Sequence, residues 1–446
     1  MKKKATPSGG NPGRTNFNRS RRDSLRTLGL AAAAPLVVPS RVLAQSTVKS
    51  STPPPSERLN VALVGLGNAM GRQRRKLFSD KRIFVQAVCD VDSNKVKDYE
   101  EEVRRTYRKE IGKFDKQIGY GDHREIMLRD DIDGVVIATP VHWHAAIALD
   151  AIRSGKDTLI QSPMSLTIRE GQLIEKAAMH HGAVVQCAAP LRCNDDLIKL
   201  CELVRNGYLG KIKEIYIAMS YLRDPDSLTK QTVPDELDYD RWLGPAPYAH
   251  YHSARISNGR ASGWRQFWEY GVRNHGEIGF GFYDIVQWAL DRERSGPVEF
   301  IPQGVNGAAY ASFKYENGPQ VILGHPVAND DDIEFVGSHG NLSATDTGNL
   351  ESDPEELARV DMTDSDQRLP TFLTVEDSWI ESMRTRRNPL VNAAVAHRSS
   401  SICHLAAIAD RLGRAIRWDP EKQEIAADPI ASRMLDRPRR APYTLV

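Results

Sequence analysis

The sequence predicts a doubly wound, parallel α/β sheet in the first half of the folded chain and a second α/β domain after it. Three observations carry that expectation. Short apolar runs rich in valine and isoleucine recur through residues 59–160, each separated from the next by a helical or charged stretch, and parallel neighbours in a sheet require such crossovers. The first run, LNVALVG at 59–65, ends in a glycine turn, as a buried central strand does where it passes into a helix. Farther on the strict alternation stops. There Asn317-Gly318, between strand-like runs at 309–315 and 321–324, reads as a hairpin turn.

Length and composition set the outer bounds. At 446 residues the chain is too long for one core, given roughly 100 to 200 residues per domain. It divides into an export segment at 1–44, a linker at 45–57, a first domain at 58–186 and a second domain at 187–446. The last long helix, 394–412, has apolar residues at helical spacing and is expected to pack back on the first domain. Hydrophobic residues at 40%, charged residues at 26% and a net charge of +2 fit a globular protein and exclude a basic nucleic-acid stripe. The five cysteines show no CxxC or Cys/His spacing, and the acidic run 330–332 lacks the spaced ligands of a calcium loop. No metal site is therefore expected.

The N-terminus carries its own signal. Residues 1–18 are polar and basic, Ser20-Arg21-Arg22-Asp23-Ser24-Leu25-Arg26 follows, and an alanine-rich apolar run at 28–38 leads to Val42-Leu43-Ala44. Charge, run and small-residue cleavage site in that order read as a twin-arginine signal, with processing after Ala44 and a periplasmic destination. The run is too short to span a bilayer, so no membrane span is expected after processing. Three prolines within 50–56 mark the linker.

The first domain is where the chemistry becomes readable. Gly65-Leu66-Gly67-Asn68-Ala69-Met70-Gly71 opens a basic helix. Strand, glycine turn and helix start thus come in the order that aims backbone amides at a pyrophosphate. The third glycine stands one position later than in the common fingerprint. A second strand at 83–88 ends at Cys89-Asp90, where a carboxylate accepts hydrogen bonds from the adenosine ribose of NAD. Lys95 is near enough in sequence to leave NADP open. A strand within 132–140 ends at Thr139-Pro140, a helix runs to Ser154, and a strand at 158–160 ends at Gln161-Ser162-Pro163. These strand ends face the ligand crevice of a Rossmann dinucleotide-binding domain. Gly65, Gly67, Asn68, Ala69, Met70, Asp90, Thr139, Pro140 and Gln161 are its expected cofactor residues.

Taken in order, the glycine turn, VCDVD at 88–92, ATPVHWHA at 138–145, QSPMS at 161–165, VRNGYLGKIKEI at 204–215, RWLGPAP at 241–247, FWEYG at 267–271 and DIVQWAL at 284–290 form a specific series. With HRSSSICHL at 397–405 and RWDPEK at 417–422, they resemble the Gfo/Idh/MocA oxidoreductases, in particular their exported branch, over nearly all of the chain past the export segment. The resemblance implies an α+β second domain with an open mixed sheet, which often serves as an oligomer interface, and hence a homo-oligomer. It also implies a carbohydrate-like substrate in a cleft between the domains and a nicotinamide beside Trp143, with His142, Trp143 and His144 as further cofactor residues. Arg192 matches a family arginine near that cleft. The aromatic cluster of Trp264, Phe267, Trp268 and Tyr270 is compatible with sugar stacking, and Arg192, Trp268, Tyr270 and Tyr283 are the expected substrate residues.

The sequence departs from the family at its two catalytic elements. The family's Glu-Lys-Pro loop reads Gln161-Ser162-Pro163, so a serine hydroxyl stands where a lysine cation steadies negative charge and assists proton transfer. The family histidine three residues before the aspartate at Asp284 is replaced by Gly281. Ser162, His275, Glu277 and Asp284 are the catalytic candidates, with His142, His144, Arg192, Tyr270 and Tyr283 as further polar groups on matching segments. Three readings stand side by side: an oxidoreductase with relocated proton chemistry, a noncatalytic cofactor-binding or partner subunit, and an NAD-assisted glycosidase.

Overall fold

In the computed structural model, the described residues are 57–445 apart from 112–116, 220–221, 223–226, 260–262 and 325–331. The export segment and most of the acidic run 330–332 lie outside them; of that run, only Asp332 is described, as the first residue of a strand.

The first half alternates as the apolar runs require. It comprises β1 (Leu59–Val64), α1 (Asn68–Ser79), β2 (Ile83–Cys89), α2 (Ser93–Ile111), β3 (Gly119–Tyr120), α3 (His123–Met127), β4 (Gly134–Ile137), α4 (His144–Arg153), β5 (Asp157–Ile160), α5 (Ile168–His181) and β6 (Val185–Cys187). The strands form one parallel sheet in the order β3-β2-β1-β4-β5-β6. β4 and β5 are buried throughout, because helices cover both faces of such a sheet and leave no side for water. The order reverses beside β1, so β1 and β4 open a crevice at their carboxyl ends.

The second half contains α6 (Asp195–Arg205), β7 (Glu214–Ile217), α7 (Tyr239–Leu243), α8 (Ser253–Ile256), α9 (Glu277–Ala289), β8 (Glu299–Ile301), β9 (Ala311–Lys314), β10 (Gln320–Leu323), β11 (Asp332–Val336), β12 (Asn341–Thr345) and β13 (Gly348–Asp353). After them come α10 (Val375–Thr385), α11 (Ala393–Leu412), β14 (Ile416–Asp419), β15 (Glu424–Ile425) and α12 (Pro429–Arg433). Its nine strands run β13-β12-β11-β7-β10-β9-β8-β14-β15, with only β7 and β10 parallel. β9 and β10 pair antiparallel around Asn317, whose φ of 52° suits the turn. β7 and β10 bury alternate residues, so one face of this sheet meets the helices while Tyr216 and Ile322 stand half-buried on the other.

Helix α11 joins the halves. It packs on α5 and α9, the Ser400 hydroxyl accepts from the Met164 amide at 3.2 Å, and the Cβ absent from Gly171 leaves space for the His397 ring.

Candidate cofactor and active site

The start of α1 is prepared for an anion. Helices α3, α5, α6, α10 and α11 each begin on a side chain that accepts from a first-turn amide: Asp122, Thr167, Asn194, Thr374 and Asn392. Helix α1 begins on Gly67, with no capping side chain and no acidic residue in its first turn. Its amides and the positive end of its dipole are left for a ligand. Gly65 makes the approach possible. At φ of +85°, a Cβ there would stand 2.6 Å from the Thr139 amide nitrogen, so only glycine lets the turn lie against the end of β4.

The carboxylate of Asp90, at the end of β2, braces this turn. It accepts from the Leu66 amide at 2.7 Å and the Asp92 amide at 3.0 Å. Burial pushes its pKa up, while Lys95 and the two amides pull it down. Lys95 lies 3.9 Å from Asp90 and 3.4 Å from Asp92. Two carboxylates therefore share one lysine at the end of β2, an arrangement suited to hydroxyl donors and opposed to a phosphate.

A cavity runs along these strand ends. Gly65, Gly67, Asn68, Ala69, Asp90, Thr139, Pro140, Trp143 and Gln161 line it, joined by Gly121 and His123. Thr139 Oγ1 and Gln161 Nε2 are buried without a hydrogen-bond partner, and a buried polar atom without one costs free energy unless something binds it. The opposite wall belongs to the second half: Glu236, Leu237, Arg241, Trp242, Ile256, Asn258, Trp264 and Arg265. Backbone bonds Ser93 N to Glu236 O and Asp238 N to Val91 O, both 2.9 Å, seat that wall. A dinucleotide fits this set of residues, with amides for the diphosphate, carboxylates for a ribose and orphaned polar groups farther along the crevice.

The remaining sequence candidates take other places. Met70 is fully buried in the core behind α1, so its side chain turns from the cavity. His142 Nε2 and Trp143 Nε1 both donate to the Trp242 carbonyl at 3.0 Å, and burial pulls the His142 pKa down to about 4. His144 spans the Pro163 and Thr139 carbonyls, 2.9 Å from each. Both histidines thus fasten loops around the cavity and neither lines it. Arg192 and Asp284 form a buried bidentate pair at 2.6 and 2.8 Å. Arg192 adds Glu293 at 2.6 Å, and Asp284 accepts from Ser399 at 2.7 Å. Neither lines the cavity.

His275 is buried between the Tyr283 hydroxyl, 2.7 Å from Nδ1, and Asp410, 2.9 Å from Nε2. Asp410 was not singled out in the sequence; it lies 135 residues from His275 and only the fold joins them. Tyr270 is fully buried against Trp242 and His142. The guanidinium groups of Arg437 and Arg411 both lie over the Trp268 ring, 3.6 and 4.8 Å from its centroid. Glu277 is the first residue of α9, and its side chain is outside the described residues. A Cβ at Gly281 would meet Leu191 Cδ1 at 3.0 Å. Ser162 is half-buried next to Gln161.

Comparison with known proteins agrees with this geometry. Residues 59–189 match the oxidoreductase family's NAD-binding Rossmann fold, and residues 216–445 match its C-terminal alpha/beta domain. Among curated proteins, a glycosyl hydrolase family 109 protein of Shewanella pealeana is 25% identical over 204 residues, 43% of this chain and 44% of its own length. The alpha-N-acetylgalactosaminidase of Shewanella oneidensis is 26% identical over 210 residues, 44% of each. The matched stretch therefore spans less than half the length of these relatives. Among solved structures, the aldose-aldose oxidoreductase of Caulobacter crescentus superposes with a TM-score of 0.57 at 16% identity, covering 81% of this chain and 99% of that one. The WlbA dehydrogenase of Bordetella pertussis, solved with NADH and UDP-GlcNAcA, gives 0.57 at 16% over 82% and 99%. The chain belongs to the Gfo/Idh/MocA oxidoreductase family, with that family's NAD-binding Rossmann fold followed by its C-terminal alpha/beta domain.

Proposed function

We propose that this protein is an NAD-dependent oxidoreductase acting on a hydroxyl-bearing carbon of a sugar or cyclitol. The observation that carries the reading is the pair of orphaned polar atoms, Thr139 Oγ1 and Gln161 Nε2, in a cavity that begins at the uncapped start of α1. The nicotinamide supplies a hydride acceptor or donor; the chain's own residues handle the proton. The sequence's candidate for that task, His275, is buried with Nδ1 on the Tyr283 hydroxyl and Nε2 on Asp410, outside the residues that line the cavity. Ser162 donates a hydrogen bond where relatives place a cation.

A second reading has its own support. The curated relatives named above are glycosidases by name, and transient oxidation of a sugar carbon serves glycoside cleavage with no net redox change. One experiment separates the readings. Purified protein with NAD is offered a panel of free sugars and cyclitols, read at the reduced-nicotinamide absorbance band, and a matching panel of p-nitrophenyl glycosides, read as nitrophenol release. Absorbance growth on free sugars supports the oxidoreductase; nitrophenol release with unchanged nicotinamide supports the glycosidase; NAD binding with neither signal leaves a noncatalytic subunit. Export by the twin-arginine route and self-association through the open face of the nine-stranded sheet belong to the same proposal. N-terminal sequencing of periplasmic protein and sedimentation of the purified chain test them; a start other than Gln45, or a monomer, would count against each.

A further inference from the structure

We infer that Arg411 and Arg437, gathered on the Trp268 ring, form a seat for a carboxylate, and that the carbohydrate this protein takes is an acidic one, a uronate or a related sugar acid. The inference rests on the proposed carbohydrate reading and deepens it, since nothing in the cofactor cavity bears on the charge of the substrate.

Two cations on one indole are the starting observation. The guanidinium of Arg437 lies 3.6 Å from the Trp268 ring centroid and that of Arg411 4.8 Å. An indole face attracts a cation, but it brings no negative charge, and two guanidinium groups this close repel each other. Among the described residues neither has a carboxylate within ion-pair distance. Arg437 Nη1 donates to the Trp268 carbonyl, while its Nε is buried with no hydrogen-bond partner. The Nε–Nη2 edge, the side of a guanidinium that grips a carboxylate with two parallel bonds, is thus left open. Burial pulls the Arg437 pKa down to about 9 against the charges of Glu170 and Glu269, and Arg411 adds to the pull. Glu170 is already bonded by Arg439 at 3.1 Å and by the Leu166 amide at 2.8 Å, and Glu269 comes near without pairing. A desolvated guanidinium without a counterion is costly; a ligand carboxylate removes that cost.

The chain, rather than a counterion, holds these cations in place. Just before Arg437, the Leu435 carbonyl accepts from the Arg169 amide at 3.0 Å and Asp436 from the Thr167 hydroxyl at 3.4 Å. Just after it, Arg439 grips Glu170, so the segment is moored to the start of α5 on both sides of Arg437. Arg411 stands in the last turn of α11, beside Asp410 and its bond to His275. On the same helix His404 is buried with Nδ1 unpartnered; its Nε2 lies 3.5 Å from Ser165 Oγ, and the charge of Arg437 helps keep its ring neutral. The seat therefore adjoins the loop that carries Ser162 on one side and the His275–Asp410 pair on the other. Trp268, Arg411 and Arg437 do not line the cofactor cavity, so the charge they offer is left for another ligand.

The test reads binding by calorimetry, with NAD present. Full-length protein is titrated with glucuronate and galacturonate, and with glucose and galactose as their uncharged parents. At least one uronate should bind about tenfold more tightly than its parent, and the margin should shrink as salt is raised, because Arg411 is exposed. Arg411→Gln and Arg437→Gln should each cut the uronate affinity by about fivefold or more and leave the parent sugar unchanged. Glu269→Gln, which removes a competing carboxylate, should raise it. A uronate preference that survives both arginine substitutions overturns the inference; should Arg437→Gln fail to fold, the exposed Arg411→Gln decides alone. Neutral sugars that bind as well as the uronates overturn the acidic substrate and leave the carbohydrate reading standing, whereas no binding by any of the four overturns both.

Discussion

At Gly65 the requirement is steric before it is chemical. The turn needs a positive φ, and the Thr139 amide occupies the space a side chain would take. Gly65→Ala should therefore abolish the thermal stabilisation that NAD gives the wild type while the apoprotein remains folded; a retained NAD-dependent rise in Tm would show that the turn does not carry the diphosphate. His142 illustrates a residue whose role was open in the sequence. Its buried ring is neutral in the folded protein down to about pH 4, against an ordinary value of 6.5. Above about 6.5 both folded and unfolded rings are neutral; below it the unfolded ring takes up a proton that the folded one refuses. Stability should thus fall as pH drops from 6.5 toward 4, by about 2 kcal/mol from this group at about pH 5. His397, also pulled down to about 4 by burial, acts in the same direction. In urea unfolding at about pH 7 and about pH 5, His142→Gln should lose less stability on acidification than the wild type. An identical loss in both would remove His142 from the account. At one of the family's two catalytic positions, a Cβ on Gly281 would stand 3.0 Å from Leu191 Cδ1, so a side chain returned there needs a small shift of that leucine.

At the scale of elements, helix starts separate structural from ligand-binding roles. Among the described residues, α3, α5, α6, α7, α8, α10, α11 and α12 satisfy first-turn amides with a capping side chain, whereas α1, α4 and α9 do not, and of these three α1 follows the glycine turn. That contrast was partly legible, since Ser, Thr, Asp and Asn before an apolar helix announce a cap and glycine does not. Helix α11 was legible as a helix but not as what surrounds it. Histidines and serines at 397, 399, 400, 401 and 404 are buried together with its apolar residues, because the helix is enclosed by α5 on one side and α9 on another, and small hydroxyl side chains let elements approach while finding bonds of their own. One of those bonds holds Asp284, and with it the buried Arg192 pair. Arg192→Met leaves Asp284 charged without its main partner and should cost about 3 to 5 kcal/mol. Denaturant unfolding that returns less than about 1 kcal/mol would mean that the pair is not structural, and would return Arg192 to the substrate cleft where the resemblance placed it.

At the scale of the whole molecule, the cofactor crevice is a joint product of both halves. The motif RWLGPAP, noticed for its resemblance alone, puts Arg241 and Trp242 on the crevice wall, and the Trp242 carbonyl ties His142 and Trp143 in place. The sequence by itself determined the parallel sheet, the glycine turn, Asp90 at the end of the second strand and the order of the two halves. These are local matters: strand hydrophobicity, crossover length and backbone geometry act over a few residues and leave a periodic trace. Only the tertiary structure decided that Arg192 spends its charge on Asp284, that His275 meets Asp410, and that the Asn258 carbonyl meets Asn68 in the first turn of a helix 190 residues earlier in the chain. Such pairings depend on which surfaces the folded sheets bring within hydrogen-bonding distance. Residue type and spacing hold no record of that distance, because it is set by the packing of all the intervening chain.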